Sequence, residues 1–247
     1  MQSDRYSAKS VDGAAVSDAN GSCDISVIIP AYNEAAGIGS TVACVAGLPG
    51  VEVLVVDGGS SDATGARAME AGARVVFAPI GRGMQQNVGA RQAAGRILLF
   101  LHADTRLPQG FAGSIIEALA RPGVVAGAFR LAIDGEGFAL RLVEWVANLR
   151  ARVLPYGDQA LFLWAETFRA CGGFPDQPLL EDVELVRRVR RLGRLVLLPT
   201  VATTTARRWQ RLGVVRTTLV NQLVLLGYFF GVEPGRLGRW YRRDVGK

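Results

Sequence analysis

The chain has 247 residues, of which 49% are hydrophobic and 20% charged, and its net charge is +6. This composition is typical of a globular protein with a sizeable core and excludes a chain that is disordered throughout. Three widely spaced cysteines, Cys23, Cys44 and Cys171, form no metal-binding spacing and indicate a reduced, cytoplasmic compartment.

The two ends of the chain differ from its middle. Residues 1–23 are small and polar, lack the apolar stretch of a signal peptide, and are predicted to be a disordered leader. Residues 185–247 contain fourteen Lys or Arg against two acidic residues, which suits a phosphorylated ligand or an anionic membrane surface. We expect no nucleic-acid partner, because few aromatics interleave with these arginines and no nucleic-acid-binding motif occurs.

Apolar runs alternate with helical segments in the first half of the chain. The predicted strands are Ile25–Ile29 (stopped by Pro30), Val51–Val56, 73–79 and Ile97–Leu101. The predicted helices are Ala35–Ala46, a second one capped by Ser61 or Asp62 and closed by Gly72, and 83–95. Because continuous apolar strands alternate with helices, we expect an α/β protein with a mostly parallel sheet flanked by helices.

The second half has a different pattern. It predicts strands at 123–133, 156–163, 194–199 and 201–206, helices at 137–154 and 179–193, and a turn at 168–176. We expect one domain over 24–210, followed by an apolar helix and basic tail over 211–247. The uninterrupted apolar run of the tail, Leu223 to Val232, is too short to cross a membrane. The tail is therefore expected to pack on the domain, to form a homodimer, or to lie peripherally at the inner face of a membrane.

Polar residues follow three of the predicted strands at the point where each strand ends. They form clusters at 30–34, 57–60 and 102–104. In an open α/β sheet the carboxyl ends of the strands meet at a ligand crevice. Turn and helix-cap chemistry is the alternative explanation for each cluster taken alone.

Four motifs resemble those of family 2 glycosyltransferases with the GT-A fold, in order and in spacing. They are "SVIIPAYNE", "VVDGGSSDAT", "LFLHADT" and "LLEDVELVRRV", and the match covers roughly residues 25 to 200. "GRGMQQNVGA", "YGDQALF" and "EDVELVRR" resemble a bacterial subgroup labelled as arsenosugar-biosynthesis or selenium-associated glycosyltransferases. The resemblance implies a GT-A, Rossmann-like fold and inversion at the anomeric carbon. It also implies a nucleotide-diphosphate-sugar donor (a UDP-sugar is favoured), a hydroxyl acceptor, and Mn²⁺ or Mg²⁺.

The resemblance also implies where the donor and the metal bind. Its nucleotide-sugar positions are Pro30, Tyr32, Glu34, Asp57, Gly58, Gly81, Arg82, Gln86, Asn87, His102, Ala103 and Arg208. Many relatives carry a second acid, often a contact to uracil, where this chain has Gly58. Asp104 matches the last aspartate of the metal-binding DxD motif, and hard cations prefer such oxygen ligands. His102 replaces the first aspartate, either as a metal ligand or as a hydrogen-bonding residue.

Sugar transfer also needs a base and an acceptor site. Glu181 and Asp182 are adjacent acids at a helix start, where capping the helix is the alternative role. The resemblance assigns the base to Asp182, with Glu181 orienting it. The residues expected on the acceptor side are Tyr156, Asp158, Gln159 and Trp209. A buried strand-end role is the alternative for Asp158 and Gln159. "RRW" at 207–209 resembles an element placed over the donor, or it is a surface pair beside a packed tryptophan.

Two other classes of nucleotide-binding enzyme need different residues after the first strand. A nucleotidyltransferase would need a glycine-rich loop with a basic residue after the first strand, and "PAYNE" stands there instead. A dinucleotide-dependent oxidoreductase would need GxGxxG at the same place. Two alternatives stay open: a non-catalytic nucleotide-sugar binder, which has no use for Asp182, and a transferase with a lipid-linked acceptor at the membrane surface.

Overall fold

The computed structural model describes residues 23–244, so the predicted leader lies outside the described residues apart from Cys23. One sheet of eight strands runs through this part of the chain, in the order β3-β2-β1-β4-β7-β6-β8-β5. The strands are β1 Ile25–Ala31, β2 Val51–Asp57, β3 Arg74–Phe77, β4 Ile97–Phe100, β5 Thr105–Arg106, β6 Val124–Asp134, β7 Leu161–Trp164 and β8 Arg194–Thr205.

The helices connect these strands and then extend beyond the last one. They are α1 Ile38–Ala43, α2 Thr64–Glu70, α3 Arg82–Gln92, α4 Phe111–Leu119, α5 Phe138–Ala151, α6 Ala165–Ala170, α7 Glu181–Val189, α8 Arg207–Leu212, α9 Val214–Phe229 and α10 Pro234–Asp244. The α/β prediction is confirmed, although the sheet is mixed. Strands β1 to β4 pair in parallel, β7 is antiparallel to both β4 and β6, and β6 pairs in parallel with β8.

Pro30 does not stop the first strand, contrary to the sequence-based prediction. It pairs in register with Val56, and β1 continues to Ala31. In a parallel strand alternate residues bond to opposite neighbours, and Ile28 already accepts the N–H of Leu101 at the end of β4. Pro30 therefore faces the side where β4 ends, and its missing N–H falls at the end of the β1–β4 ladder rather than within it.

Other boundaries also differ from those predicted. The first helix is shorter than Ala35–Ala46, α6 occupies the start of a predicted turn, and residues 194–205 form one strand. Its pairing with β6 shifts register between Leu197 and Val201, at the boundary between the two short strands that were expected. Strand β5 and helix α4 were not predicted. Strand β5 has only two residues and depends on pairing with β8.

The core lies on both faces of the sheet, as the alternation of side chains along β1 requires. Ile25, Val27 and Ile29 pack into one cluster, which includes residues of α1 and α4. Ile28 points to the opposite face and packs with residues of α6 and α7. Strands that are apolar on both faces need helices on both sides of the sheet. These helices cover the two faces and leave the carboxyl edge of the sheet open.

The two C-terminal helices pack on the domain. Val220, Val224 and Leu225 of α9 join Leu237 of α10 and Leu180, just before α7, in one buried cluster. No helix within residues 23–244 is long and apolar enough to cross a membrane.

Candidate active site

The loops after β1 and β2 are tied together at the carboxyl edge of the sheet. Asn33 has a left-handed backbone (φ 53°), and its Oδ1 accepts the N–H of Ser61 at 2.9 Å. Asparagine tolerates this conformation better than most residues. The Thr64 hydroxyl accepts the N–H of Glu34 at 2.8 Å. Tyr32, in the same loop, is 46% exposed at the crevice.

Asp57 organises the turn that follows β2. It is buried, and its Oδ1 accepts the N–H groups of Gly59 at 3.0 Å and Ser60 at 2.8 Å. Sequence reasoning missed its neighbour Gln85, a buried amide that donates to the carbonyls of Ala31 and Val56 and so joins the ends of β1 and β2. The only sequence signal was a polar pair, Gln85-Gln86, early in a helix.

Gln85 also explains the glycine at position 58. A Cβ on Gly58 would lie 3.2 Å from the Gln85 amide nitrogen and 3.4 Å from the Cα of Ile80. Both contacts are tight, so the second acid that many relatives carry here has no room unless Gln85 moves.

His102, Asp104 and Asp158 come together where β4 ends and β7 begins. Their ligating atoms all lie within 4.8 Å of one another. His102 Nδ1 is paired with an Asp158 carboxylate oxygen, which leaves Nε2 without that bond. Burial alone would lower the pKa of His102, but the Asp158 carboxylate outweighs it and raises that pKa. One imidazole and two carboxylates form a donor set that suits Mn²⁺ and, less well, Mg²⁺.

Asp104 is held from the far end of β8. Its Oδ2 accepts the Thr205 hydroxyl at 2.9 Å and lies 3.4 Å from an Arg207 nitrogen. The same guanidinium nitrogen donates to both oxygens of Glu34, at 3.0 and 2.8 Å. Arg207 therefore bridges the first-strand loop and the candidate metal aspartate, which puts a positive charge at the crevice.

Arg208 points the other way. Its guanidinium donates to the Tyr241 hydroxyl of α10 at 2.9 Å, and its charge helps to lower the pKa of Asp158. The geometry thus separates the two arginines of the "RRW" segment: Arg207 faces the strand ends, and Arg208 faces the large cavity described below. Trp209 is buried and lines the same cavity.

Glu181 and Asp182 begin α7, and Arg82 of α3 contacts both. Arg82 Nε is paired with Glu181, and its terminal nitrogen lies 3.8 Å from Asp182. Burial acts to raise the pKa of Glu181, but the Arg82 charge outweighs it and the pKa is lowered. For Asp182 burial dominates, and its pKa is raised above the ordinary value. One arginine thus keeps Glu181 charged and leaves Asp182 the better proton acceptor.

Backbone groups fix the orientation of Asp182. Its oxygens accept the N–H of Gly157 at 2.7 Å and of Val183 at 2.8 Å. Two non-glycine residues close to the site have left-handed backbones, Leu180 with φ 61° and Ala160 with φ 47°. Such conformations cost free energy and persist where the surrounding structure imposes them, often at functional sites.

A fourth arginine, not predicted, supports the loop before β7. Arg150 lies over the ring of Tyr156, with its Cζ 3.5 Å from the ring centroid, a cation–π contact. Burial raises the pKa of Tyr156. The buried Gln159 accepts the N–H of Tyr156 at 3.3 Å, which gives it the strand-end role that the sequence had left as an alternative.

Two of the predicted donor residues, Gln86 and Asn87, lie neither in the strand-end loops nor in the lining of the large cavity. Asn87 exchanges two hydrogen bonds of 2.9 Å with the backbone of Phe174, and so anchors the turn after α6. Gln86 and Gln159 line a separate cavity of about 20 Å³, which has room for a single water. The buried Oε1 of Gln86 has no hydrogen-bond partner within the described part of the chain.

The large cavity, of about 1040 Å³, brings together predicted residues from five places in the chain. Those that line it are Gly81, Arg82, His102, Tyr156, Asp158, Glu181, Asp182, Arg208 and Trp209. The remaining strand-end residues (Pro30, Tyr32, Glu34, Asp57, Gly58, Ala103 and Asp104) are not in its lining. The site therefore has two sides, the strand ends and the cavity, which meet at His102 and Asp158.

The carboxyl edge of such a sheet is where α/β enzymes bind their ligands, and family comparison gives the class of this one. The chain matches the family model "Glycosyl transferase family 2" over residues 26–175. It belongs to that family, and it is a glycosyltransferase with the GT-A fold.

Solved structures agree with this assignment. The chain is similar to glucosyl-3-phosphoglycerate synthase from Mycobacterium tuberculosis in complex with Mn²⁺, UDP-glucose and phosphoglyceric acid. The two are 25% identical with a TM-score of 0.58, over 81% of this chain and 78% of that one. S. aureus TarS shares the fold, at 19% identity and a TM-score of 0.57 over 80% of this chain and 64% of that one. A comparison with curated protein sequences gives no match.

Proposed function

We propose that this enzyme moves a sugar from a nucleotide-diphosphate sugar, with UDP-sugars as the favoured donors, to a hydroxyl acceptor with inversion at the anomeric carbon. The observation that carries the proposal is the position of Asp182. Its carboxylate lines the large cavity together with His102 and Asp158, whose ligating atoms lie beside Asp104. A candidate base and two members of the candidate cation site thus line one space.

The donor is assigned to the strand-end side. Asp104, with His102 and Asp158, would hold the divalent cation, which neutralises charge on the leaving diphosphate when bound. The glucosyl-3-phosphoglycerate synthase to which the chain is similar was solved with Mn²⁺ and UDP-glucose, which supports this donor class and this cofactor. Arg207 adds a guanidinium whose donors suit phosphate oxygens.

The proposed reaction is a single displacement. Asp182 takes the proton of the acceptor hydroxyl while the acceptor oxygen bonds to the anomeric carbon. The bond from that carbon to the diphosphate oxygen breaks, and the diphosphate leaves with the electron pair. A raised pKa suits this role, because a base with a pKa nearer the working pH holds the transferred proton better. Glu181, paired with Arg82, positions the start of α7.

The experiment is a donor screen. UDP-sugars and other nucleotide sugars are incubated with the enzyme and Mn²⁺, and hydrolysis is followed by nucleotide release, with and without chelator. Metal-dependent release from one donor class supports the proposal, and release that is unchanged in excess chelator contradicts it. The narrower resemblance to the arsenosugar or selenium-associated subgroup stays a prediction, and the same screen with a metabolite extract tests it.

A further inference from the structure

The walls of the large cavity differ in chemistry from one end to the other. One end carries the charged groups of the site, among them Arg82, Asp158 and Asp182. The other end lies between α5 and α9, which are in contact with each other. A cavity with charged groups beside an apolar helix face fits a ligand that is polar in one part and apolar in another.

Helix α5 supplies one side of the apolar end. Its lining residues Ala139, Leu142, Val143, Val146 and Ala147 recur at the spacing of a single helical face. At a rise of 1.5 Å per residue this apolar face is about 12 Å long. The next lining residue on the face is Arg150, which lies over Tyr156 close to Asp182. The wall therefore leads directly to the proposed base.

Helix α9 supplies the facing side. Val215 and Leu219 line the cavity and are 70% and 57% exposed, and Leu142 of α5 is 49% exposed; α9 also contributes the polar residues Thr218, Asn221 and Gln222 to the lining. A contiguous patch of large apolar side chains that remain this exposed often marks a binding surface. Nothing within residues 23–244 fills the space between them, since the cavity is measured with those residues in place.

The cavity is large enough for more than one small group. Its volume of about 1040 Å³ lies at the upper end of the range of about 300–1,000 Å³ for small-molecule pockets, and the donor positions Gly81, Arg82, His102 and Arg208 line part of it. A small polar acceptor that presents a hydroxyl to Asp182 would leave the apolar face of α5 in contact with water.

We infer that the acceptor is an amphiphile: its hydroxyl-bearing head lies at Asp182, and its aliphatic chain lies along the wall formed by α5 and α9. The inference rests on the proposed function, because it takes Asp182 as the base and the strand ends as the donor site. It adds the chemical class of the acceptor, which the motifs leave open.

Binding of n-butanol, n-hexanol, n-octanol and n-decanol, measured by isothermal titration calorimetry with UDP and Mn²⁺ present, tests the inference. Each methylene that enters the apolar end should tighten Kd about fourfold, which corresponds to about 0.8 kcal/mol per buried methylene. An affinity that does not depend on chain length would overturn the inference.

Matched variants distinguish binding of the alcohols in this cavity from nonspecific binding to exposed apolar side chains. Leu142→Ser with Leu219→Ser removes two lining residues, and we expect about tenfold weaker n-octanol binding. Leu149→Ser with Leu226→Ser changes residues of the same helices with similar exposure, 50% and 52%, that do not line the cavity, and should change Kd less than about twofold. Equal losses in both double variants would also overturn the inference.

Two further readouts separate this inference from the proposed function. UDP binding with Mn²⁺ should be the same in the wild type and in both double variants. If the wild type binds no nucleoside diphosphate with Mn²⁺, the proposed function fails whatever the alcohols do. With the donor identified by the screen, n-octanol should be glycosylated faster than n-butanol, as followed by mass spectrometry. If the enzyme turns over the donor and binds n-octanol but never glycosylates it, the acceptor assignment is refuted and the proposed function is not.

Discussion

The carboxyl groups of Glu181 and Asp182, neighbours in the chain, have pKa values shifted in opposite directions beside a single arginine. Glu181 is paired with Arg82 Nε, whereas Asp182 lies 3.8 Å from the terminal nitrogen and accepts two backbone N–H groups. Two acids of similar chemistry thus acquire separate roles from their surroundings, one as a charged support and one as a base.

Asp182→Asn should separate catalysis from binding. The amide keeps the size of the side chain but cannot take up the proton, so turnover should fall about 10²–10⁴-fold. Steady-state kinetics and calorimetric donor titrations measure the two effects, and donor and metal affinity should hardly change. An equal loss of donor affinity would assign Asp182 a structural role, and unchanged turnover would make Asp158 the next candidate.

Glu181→Gln should produce the opposite pattern. Removing the charge takes away the close partner of Arg82, whose side chain is 37% exposed and still lies 3.8 Å from Asp182, so we expect a cost of about 1–3 kcal/mol. We expect a lower free energy of unfolding in denaturant titrations, together with a change in donor affinity. Glu117→Gln, in an exposed pair with Arg121, is the matched control and should change stability by less than about 1 kcal/mol.

The pH dependence of turnover should reflect the raised pKa of Asp182. The base works only when it is deprotonated, so turnover should rise with pH through its pKa. That pKa lies above the ordinary aspartate value of about 3.9, which moves the acid limb of the profile upward. A profile of kcat that stays flat down to about pH 4 would show that no such base limits the reaction.

Asp104→Ala should weaken metal-dependent donor binding, and excess chelator should abolish activity. His102→Ala should be milder, because the histidine is engaged with Asp158 and the two carboxylates remain. Mn²⁺ titrations in the presence of UDP measure both effects. Equal losses for the two variants would make His102 a ligand of the same weight as Asp104.

Arg207 and Arg208 should differ in their effect on the donor. Arg207→Ala removes the charge beside Glu34 and Asp104, and we expect the donor KM to rise about tenfold, as for loss of a charge-assisted hydrogen bond. Arg208→Ala should raise it less, since Arg208 faces the cavity and Tyr241. Equal increases would give Arg208 the donor contact that the resemblance first implied.

Much of the fold could be predicted from local pattern, because buried strands are continuous apolar runs. The contact between His102 and Asp158 could not. It exists because β4 and β7 pair antiparallel with Phe100 opposite Leu161, which sets the end of one strand beside the start of the other. Likewise, the pairing of Thr105 with Thr204 brings Thr205 and Arg207 to Asp104. Register between distant strands carries no signal in a single sequence.

The left-handed backbone of Leu180 has a consequence for the order in which the enzyme is made. Leu180 precedes Glu181 directly, and its buried side chain packs against Val220, Val224 and Leu225 of α9 and Leu237 of α10. Those partners follow it in the chain and leave the ribosome later. The sheet can therefore form on the nascent chain while the start of α7 still lacks the contacts that impose its conformation. We expect catalytic competence to arrive only after α9 and α10 have left the ribosome, later than the donor-binding edge.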